Sequence, residues 1–216
     1  MIRVVIADDH TILREGLRQL LGSAPDIAIV AEAADGHEVM SRVRSDEFDV
    51  LLLDMSMPGK SGIELIKQVK AERPKLRVLV LSMHEEQQYA VRALKAGASG
   101  YMTKDAAATQ LVSAIRKVAS GGAFITAEVA EQLALGAMPN SDGPPHTRLS
   151  DREYEVFQLL VAGDSVSDIA ARLNVSGKTV STHKARLMEK LGLDNPADLV
   201  RYAIRHHLGD DEDAPQ

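Results

Sequence analysis

Val50-Leu51-Leu52-Leu53-Asp54-Met55-Ser56-Met57-Pro58-Gly59 is the stretch that decides the fold. Four consecutive apolar residues before a carboxylate read as a strand buried on both faces, as in a parallel sheet covered by helices. The Pro58-Gly59 pair then turns the chain into a loop. Asp54 is thereby placed at the carboxyl end of a central parallel strand, where open α/β sheets bind ligands. The run Ile2-Arg3-Val4-Val5-Ile6-Ala7 has the same layout and ends on Asp8-Asp9. Three carboxylates at one sheet edge repel one another unless a cation or a proton intervenes.

Working outward, strand patterns fall at 2–7, 27–33, 48–54, 76–81 and 99–102, alternating with helical patterns at 11–22, 36–45, 61–71, 86–96 and 106–119. Leu13, Leu17, Leu20 and Leu21 repeat at helical spacing and give the first helix its core face. Five βα units predict a doubly wound parallel sheet with helices on both faces. A flavodoxin-like strand order would set the first and third strands side by side, so that Asp8, Asp9 and Asp54 meet. Gly121-Gly122 ends this unit, and a short helix is expected over 127–135. The turn-rich stretch Pro139-Asn140-Ser141-Asp142-Gly143-Pro144-Pro145 reads as a flexible linker.

From Leu149 onward no strand pattern remains. Helices are expected at 151–162, 166–173, 178–191 and 196–207. Ser150 with Glu153 forms a capping-box pattern, Ser176 is a second N-cap candidate, and Gly192 suits a helix end. Residues 210–216 read as a frayed tail. The predicted organisation is a (βα)5 α/β domain at 1–120, a linker at 121–147, a four-helix domain at 148–208 and an acidic tail at 209–216.

The chain has 216 residues, enough for two small domains, and 45% hydrophobic content, ordinary for a globular protein. It has no cysteine, which excludes disulfides, thiolate chemistry and cysteine-ligated zinc. No apolar stretch approaches the roughly 20 residues that span a bilayer, and the start of the chain has no signal-peptide layout, so a soluble cytoplasmic protein is expected. The net charge of −6 argues against non-specific nucleic-acid binding, but the charge is unevenly spread. Residues 1–120 hold 16 basic and 16 acidic side chains, 121–147 hold three acids, 148–208 hold nine basic against eight acidic, and the last eight residues hold four acids. A local basic face in 148–208 is compatible with the acidic total.

Two later strand ends carry groups that suit the carboxylate cluster, Ser82 after Val78-Leu79-Val80-Leu81 and Lys104 after Gly100-Tyr101-Met102. The set fits acyl-phosphate chemistry. A carboxylate nucleophile needs in-line access to phosphorus, and the transferring group needs its charge neutralised. Asp54 would be the nucleophile. Asp9, assisted by Asp8 and completed by the backbone carbonyl of Ser56, would hold Mg²⁺ together with Asp54. Lys104 would supply a point charge and Ser82 a hydrogen bond. The structural alternative makes Asp8-Asp9 a cap for the helix near Thr11 and leaves Lys104 and Ser82 as loop residues; four successive strand ends with suitable groups favour the chemical reading.

Asp8-Asp9, Asp54, the Met57-Pro58-Gly59 turn, Ser82 and Lys104 together resemble the receiver domain of bacterial response regulators, over residues 1–120. The resemblance implies that Asp54 accepts a phosphoryl group from a sensor histidine kinase. It also implies that Ser82 and Tyr101 act as a switch pair, the hydroxyl turning toward the phosphate and the ring moving inward. Asp105 stands where many receivers have proline. Ser56 and His84 occupy the positions that tune phosphate lifetime, with His84 read as an exposed loop histidine.

Residues 176–190 hold four basic residues and one acid, Glu189. Two short helices joined by a tight Gly-containing turn, the second basic and rich in hydroxyls, fit a helix-turn-helix. Ser181, Thr182, Lys184 and Ala185 are candidates for the groove floor, and Lys178, Thr179, His183, Arg186 and Lys190 for phosphate. The alternative is a solvated face on a small helical bundle. Leu149-Ser150-Asp151-Arg152-Glu153, Asp168-Ile169-Ala170, Asn174-Val175-Ser176, Lys178-Thr179-Val180 and His183 resemble the four-helix DNA-binding domain of the LuxR/NarL type. Leu199, Tyr202, Ala203 and Ile204 then resemble its dimerisation helix. The combined resemblance is to two-component response regulators of the NarL/FixJ type. It implies promoter DNA and a sensor kinase as partners, a homodimer formed on phosphorylation or DNA binding, and contact with RNA polymerase. A haloacid-dehalogenase-like phosphatase also uses an aspartate nucleophile and Mg²⁺, but it resembles Asp-x-Asp, and Ser56 replaces the second acid here. No enzymatic turnover is expected. A third class, a phosphorylation-driven module whose helices bind protein, differs from the first in lacking salt-dependent DNA binding.

Overall fold

The computed structural model describes residues 1–57, 62–82, 87–136, 144–206 and 208. The Pro58-Gly59 turn, His84, residues 139–143 and the acidic tail therefore lie outside the described residues. The chain divides into two compact units, Met1–Leu135 and Gly136–Gln216.

In the first unit, strands β1 (Ile2–Ala7), β2 (Ile27–Ala33), β3 (Val50–Asp54), β4 (Arg77–Ser82) and β5 (Gly100–Thr103) form one parallel sheet in the order β2-β1-β3-β4-β5. Helices α1 (Thr11–Gly22), α2 (Gly36–Ser45), α3 (Gly62–Glu72), α4 (Gln87–Lys95) and α5 (Lys104–Ala119) connect them. The apolar run at 50–53 is buried throughout, as a central strand covered on both faces must be. Alternate strand residues Val4, Ile6, Val50, Leu52, Leu79, Leu81 and Met102 share one core with Leu17 and Leu21 of α1 and Leu111, Ala114, Ile115 and Val118 of α5. Because side chains alternate across the sheet, Val5, Leu51, Leu53, Val78 and Val80 are buried on the opposite face.

Strands β3 and β4 run to Asp54 and Ser82, and β3 starts at Val50 rather than 48. Helix α5 begins at Lys104, two residues before the expected start, because Thr103 caps it by accepting the Ala106 N–H. Past α5 the chain returns to the sheet: Phe124 donates its N–H to the Ser99 carbonyl and accepts from the Tyr101 N–H. Its approach to Gly100 is so close that a Cβ there would meet the Phe124 carbonyl oxygen at 2.9 Å. Helix α6 (Ala127–Gly136) follows, matching the short helix expected over 127–135.

The second unit holds a short 3-10 turn (Pro145–Arg148) and helices α7 (Asp151–Val161), α8 (Val166–Arg172), α9 (Gly177–Leu191) and α10 (Pro196–Arg205). Pro145, assigned to flexible linker by composition, opens the 3-10 turn, where its fixed φ costs nothing. The next residue, His146, is buried, and its Nδ1 lies 3.0 Å from the Tyr202 hydroxyl. Ser150 and Glu153 form the expected capping box on α7, and Ser165 with Asp168 forms another on α8. Ser176 caps α9, whose end at Gly192 adopts φ 66°, a left-handed conformation that glycine takes without strain. The core gathers Tyr154, Phe157, Ile169, Val180, Leu187, Leu191, Leu199 and Ala203. Helix α10 stops at Arg205, two residues short of the sequence expectation.

Candidate functional site

Three sheet-edge positions converge at the carboxyl ends of the strands. Asp54 ends β3, Asp8 follows β1, and Lys104 opens the helix after β5. Asp8 and Asp54 are fully buried, and the Lys104 side chain is 8% exposed. Lys104 Nζ lies 2.8 Å from Asp8 Oδ2 and 2.9 Å from Asp54 Oδ2. Asp54 Oδ1 accepts the Ser56 N–H at 3.1 Å, while Oδ2 receives no aligned hydrogen bond, so its contact with Lys104 is an ion pair. One ammonium thus bridges two buried carboxylates and leaves the trio at −1. Burial pushes the Asp54 carboxyl above its ordinary range, and Asp8 adds to this, with Lys104 and the Ser56 N–H opposing. Burial by itself would lower the Lys104 ammonium, but its hydrogen bond to Asp8 and its contact with Asp54 outweigh that, and its pKa is raised.

Asp9 is the exposed carboxylate of the cluster, with its side chain 32% accessible. Ligand atoms of Asp8, Asp9, His10 and Asp54 lie within 4.8 Å of one another. Such a group of hard oxygen donors suits a divalent cation that keeps several waters. His10, a residue that the sequence reading passed over, places Nδ1 3.0 Å from Asp9 Oδ1 and donates its N–H to Asp8 Oδ1 at 2.7 Å. Its position directly after the acid pair was the available signal. Asp8 does hold the turn before α1, but the helix's own N-cap, His10, makes no side-chain cap bond. Ser82 and Tyr101 are both buried on adjacent strands, Ser82 at the end of β4 and Tyr101 within β5, in register with Val80. The Tyr101 ring is therefore in an inward position.

In the second unit α9 exposes Lys178, Ser181, Thr182, Ala185 and Arg186 along one face. Ser181 and Thr182 donate their hydroxyl hydrogens to the carbonyls of Gly177 and Lys178, leaving their oxygens as acceptors. Thr179 is half-buried, with its hydroxyl 2.8 Å from that of the Ser176 cap. Lys184 and His183 are also half-buried. His183 turns toward the protein: burial and the neighbouring Arg152 lower its imidazole below the usual value, and its Nδ1 is buried without a hydrogen-bond partner among the described residues. Lys190 is committed to Glu153, at 2.6 Å. On α10, Leu199, Tyr202 and Ala203 are consumed by the unit's own core, and the exposed apolar residues are Val200 and Ile204. An outward apolar face on this helix would consist of those two, so that of the four singled out by sequence only Ile204 faces outward.

Residues 4–116 match the response regulator receiver domain family, and residues 147–203 match the luxR family of bacterial regulatory proteins. The response regulator UvrY of Escherichia coli strain K12 is 36% identical over 209 residues, covering 96% of both chains. The response regulator GacA of Pseudomonas viridiflava is 36% identical over 211 residues, covering 97% of this chain and 99% of the other. The chain belongs to the response regulators. Among solved structures, a Salmonella typhimurium RcsB response regulator, described for its conformational dynamism in DNA interaction, aligns with a TM-score of 0.74 at 32% identity over 94% of this chain and 97% of that one. RcsB bound to the rprA promoter in the presence of the phosphomimetic BeF3⁻ aligns with a TM-score of 0.69 at 33% identity, over 94% of this chain and 98% of that one. A receiver unit thus precedes a luxR-type helix-turn-helix unit in this chain, and the family regulates transcription. Among the described residues no helix is long and apolar enough to cross a membrane.

Proposed function

We propose that this response regulator stores a phosphoryl group on Asp54 and spends the stored signal on binding of promoter DNA by α9. The observation that carries the reading is the buried trio Asp8, Asp54 and Lys104, assembled from three separate strand ends. A sensor histidine kinase would supply the phosphoryl group. An Asp54 carboxylate oxygen forms the new bond to phosphorus as the phosphorus–nitrogen bond to the kinase histidine breaks. Lys104 stands where charge develops on the transferring group. Mg²⁺, held by Asp9, Asp8, Asp54 and the Ser56 carbonyl, would neutralise charge on the phosphoryl oxygens. The Ser56 N–H orients the nucleophile through Oδ1. Ser82 and Tyr101, both buried on the adjacent strands β4 and β5, would register the phosphate as the switch pair. With serine rather than a second acid two residues after Asp54, hydrolytic turnover is not assigned to the site.

Receiver 1–120, linker 121–147, DNA-binding domain 148–208 and tail 209–216 remain the proposed functional division. On α9, Ser181, Thr182, Lys184 and Ala185 would face base edges, and Lys178, Thr179 and Arg186 would meet phosphate. His183 and Lys190 would contribute less because His183 turns toward the protein and Lys190 is paired with Glu153. A homodimer on promoter DNA, in reach of RNA polymerase, and a cytoplasmic setting complete the proposal. Incubation with radiolabelled acetyl phosphate and Mg²⁺ tests its core. Wild-type protein takes up label and Asp54→Asn takes up none; undiminished labelling of the variant would sink the assignment.

A further inference from the structure

Asp8 carries its carboxylate into the pocket, but its backbone carbonyl is also held. Arg14 Nη1, about one helical turn into α1, donates to that carbonyl at 2.6 Å. The same guanidinium donates through Nε to Glu32 Oε2 at 3.1 Å. Glu32 lies on β2 opposite Ile6 of β1, and its other oxygen accepts from Arg18. The Arg14 side chain is 15% exposed and that of Glu32 26%, so this is a half-buried, forked, charge-assisted arrangement rather than a solvated surface pair. The neighbouring strand ends at the same level, with the Asp8 N–H donating to the Ala33 carbonyl at 3.1 Å. Arg14 therefore grips the chain at the point where it leaves the sheet.

A peptide unit is planar, so fixing the Asp8 carbonyl fixes the Asp9 N–H and the direction in which the Asp9 Cα leaves the turn. Asp9 needs such support. Its carboxylate is the exposed member of the acid cluster, and its contact is His10, whereas Asp8 and Asp54 are locked by Lys104. We propose that Arg14, braced by Glu32, is a positioning residue for the cation site, aiming Asp9 by holding the Asp8 carbonyl. This rests on the reading of Asp8, Asp9 and Asp54 as the Mg²⁺ ligands. Groups that orient metal ligands from outside the coordination sphere typically affect metal affinity 10- to 100-fold.

The test is Mg²⁺ binding by calorimetry to the full chain, for wild type, Arg14→Ala, Arg14→Lys and Glu32→Gln, with urea unfolding of each protein without metal. Arg14→Ala is expected to weaken Mg²⁺ binding about tenfold or more. Its labelling by acetyl phosphate recovers toward the wild-type rate when Mg²⁺ is raised to saturation. Arg14→Lys, which keeps the charge but has a single donor nitrogen in place of the planar fork, falls between the two, and Glu32→Gln weakens binding less than Arg14→Ala. If Arg14→Ala does not fold, Arg14→Lys and Glu32→Gln carry the comparison. Lowered unfolding stability with unchanged Mg²⁺ affinity in the folded variants overturns the proposal. Wild-type protein that fails to bind Mg²⁺ overturns the metal-site reading beneath it, a distinct result.

Discussion

The receiver pocket and the exposed face of α9 both present charge for a ligand, and they do so by opposite means. In the pocket the groups come from far apart in sequence: Lys104 and Asp8 are 96 residues apart and in direct contact at 2.8 Å. They are buried, so each charge needs a partner at short range. On α9 the face is local. Ser181 and Thr182 bond to carbonyls four residues back, and Lys178 and Arg186 point to solvent. The pocket is thus coupled to the integrity of the whole sheet, whereas the helix face depends on the helix and its cap.

That contrast is open to direct attack, and the largest effect is expected at Lys104. Lys104→Met strips the ammonium from two buried carboxylates. Breaking a buried pair in this way costs on the order of 3–5 kcal/mol. Denaturant unfolding at pH 7 should show the loss, and Mg²⁺ should restore more stability to the variant than it adds to wild type. A variant as stable as wild type without cation would mean that the pocket is less closed than its geometry implies.

Asp54→Asn should move stability the other way. Burial raises the Asp54 carboxyl in the folded chain above the 3.8 of an ordinary aspartate, so the folded state holds that proton more tightly than the unfolded one. Stability from this group is therefore complete below about pH 3.8 and is lost as pH rises through the folded value. The asparagine variant should be more stable than wild type at neutral pH without Mg²⁺, and the gap should close on acidification. Thermal unfolding across pH 3 to 8 reads both limbs, and a gap that widens toward acid would contradict the sign.

On the local side the expected effects are smaller. Ser150→Ala removes one half of the α7 capping box and should cost about 1 kcal/mol, read from the unfolding transition of the second unit. It should leave acetyl phosphate labelling unchanged. The smallest change is expected from Lys178→Ala. One lost phosphate contact lowers affinity about equally for all DNA sequences and reduces the slope of log K against log salt by roughly one. A gel-shift series at several salt concentrations measures it; a loss confined to one operator sequence would make Lys178 a base-reading residue instead.

The sequence by itself determined the elements whose cause is local. Four apolar residues before Asp54 specify a doubly covered strand, five alternations of period specify the parallel sheet, and Ser150 with Glu153 specifies where α7 begins. It also placed Asp8, Asp54, Ser82 and Lys104 at strand ends, because the strands themselves were legible. The tertiary structure decided what those ends do to one another. That one ammonium serves both Asp8 and Asp54, and that burial raises the Asp54 carboxyl, depends on which strands are neighbours and how deep their ends lie. Phe124 lies against Gly100 because an edge strand leaves backbone groups open for pairing, which no local pattern announces. Lys190 is legible as a charge but not as the partner of Glu153, since that contact spans 37 residues. Leu199 and Ala203 have the composition of an interface, and only packing showed that their own core takes them. Period and capping act within a few residues and are written in the chain, whereas proximity across the sheet and depth below the surface exist only once the whole unit has closed.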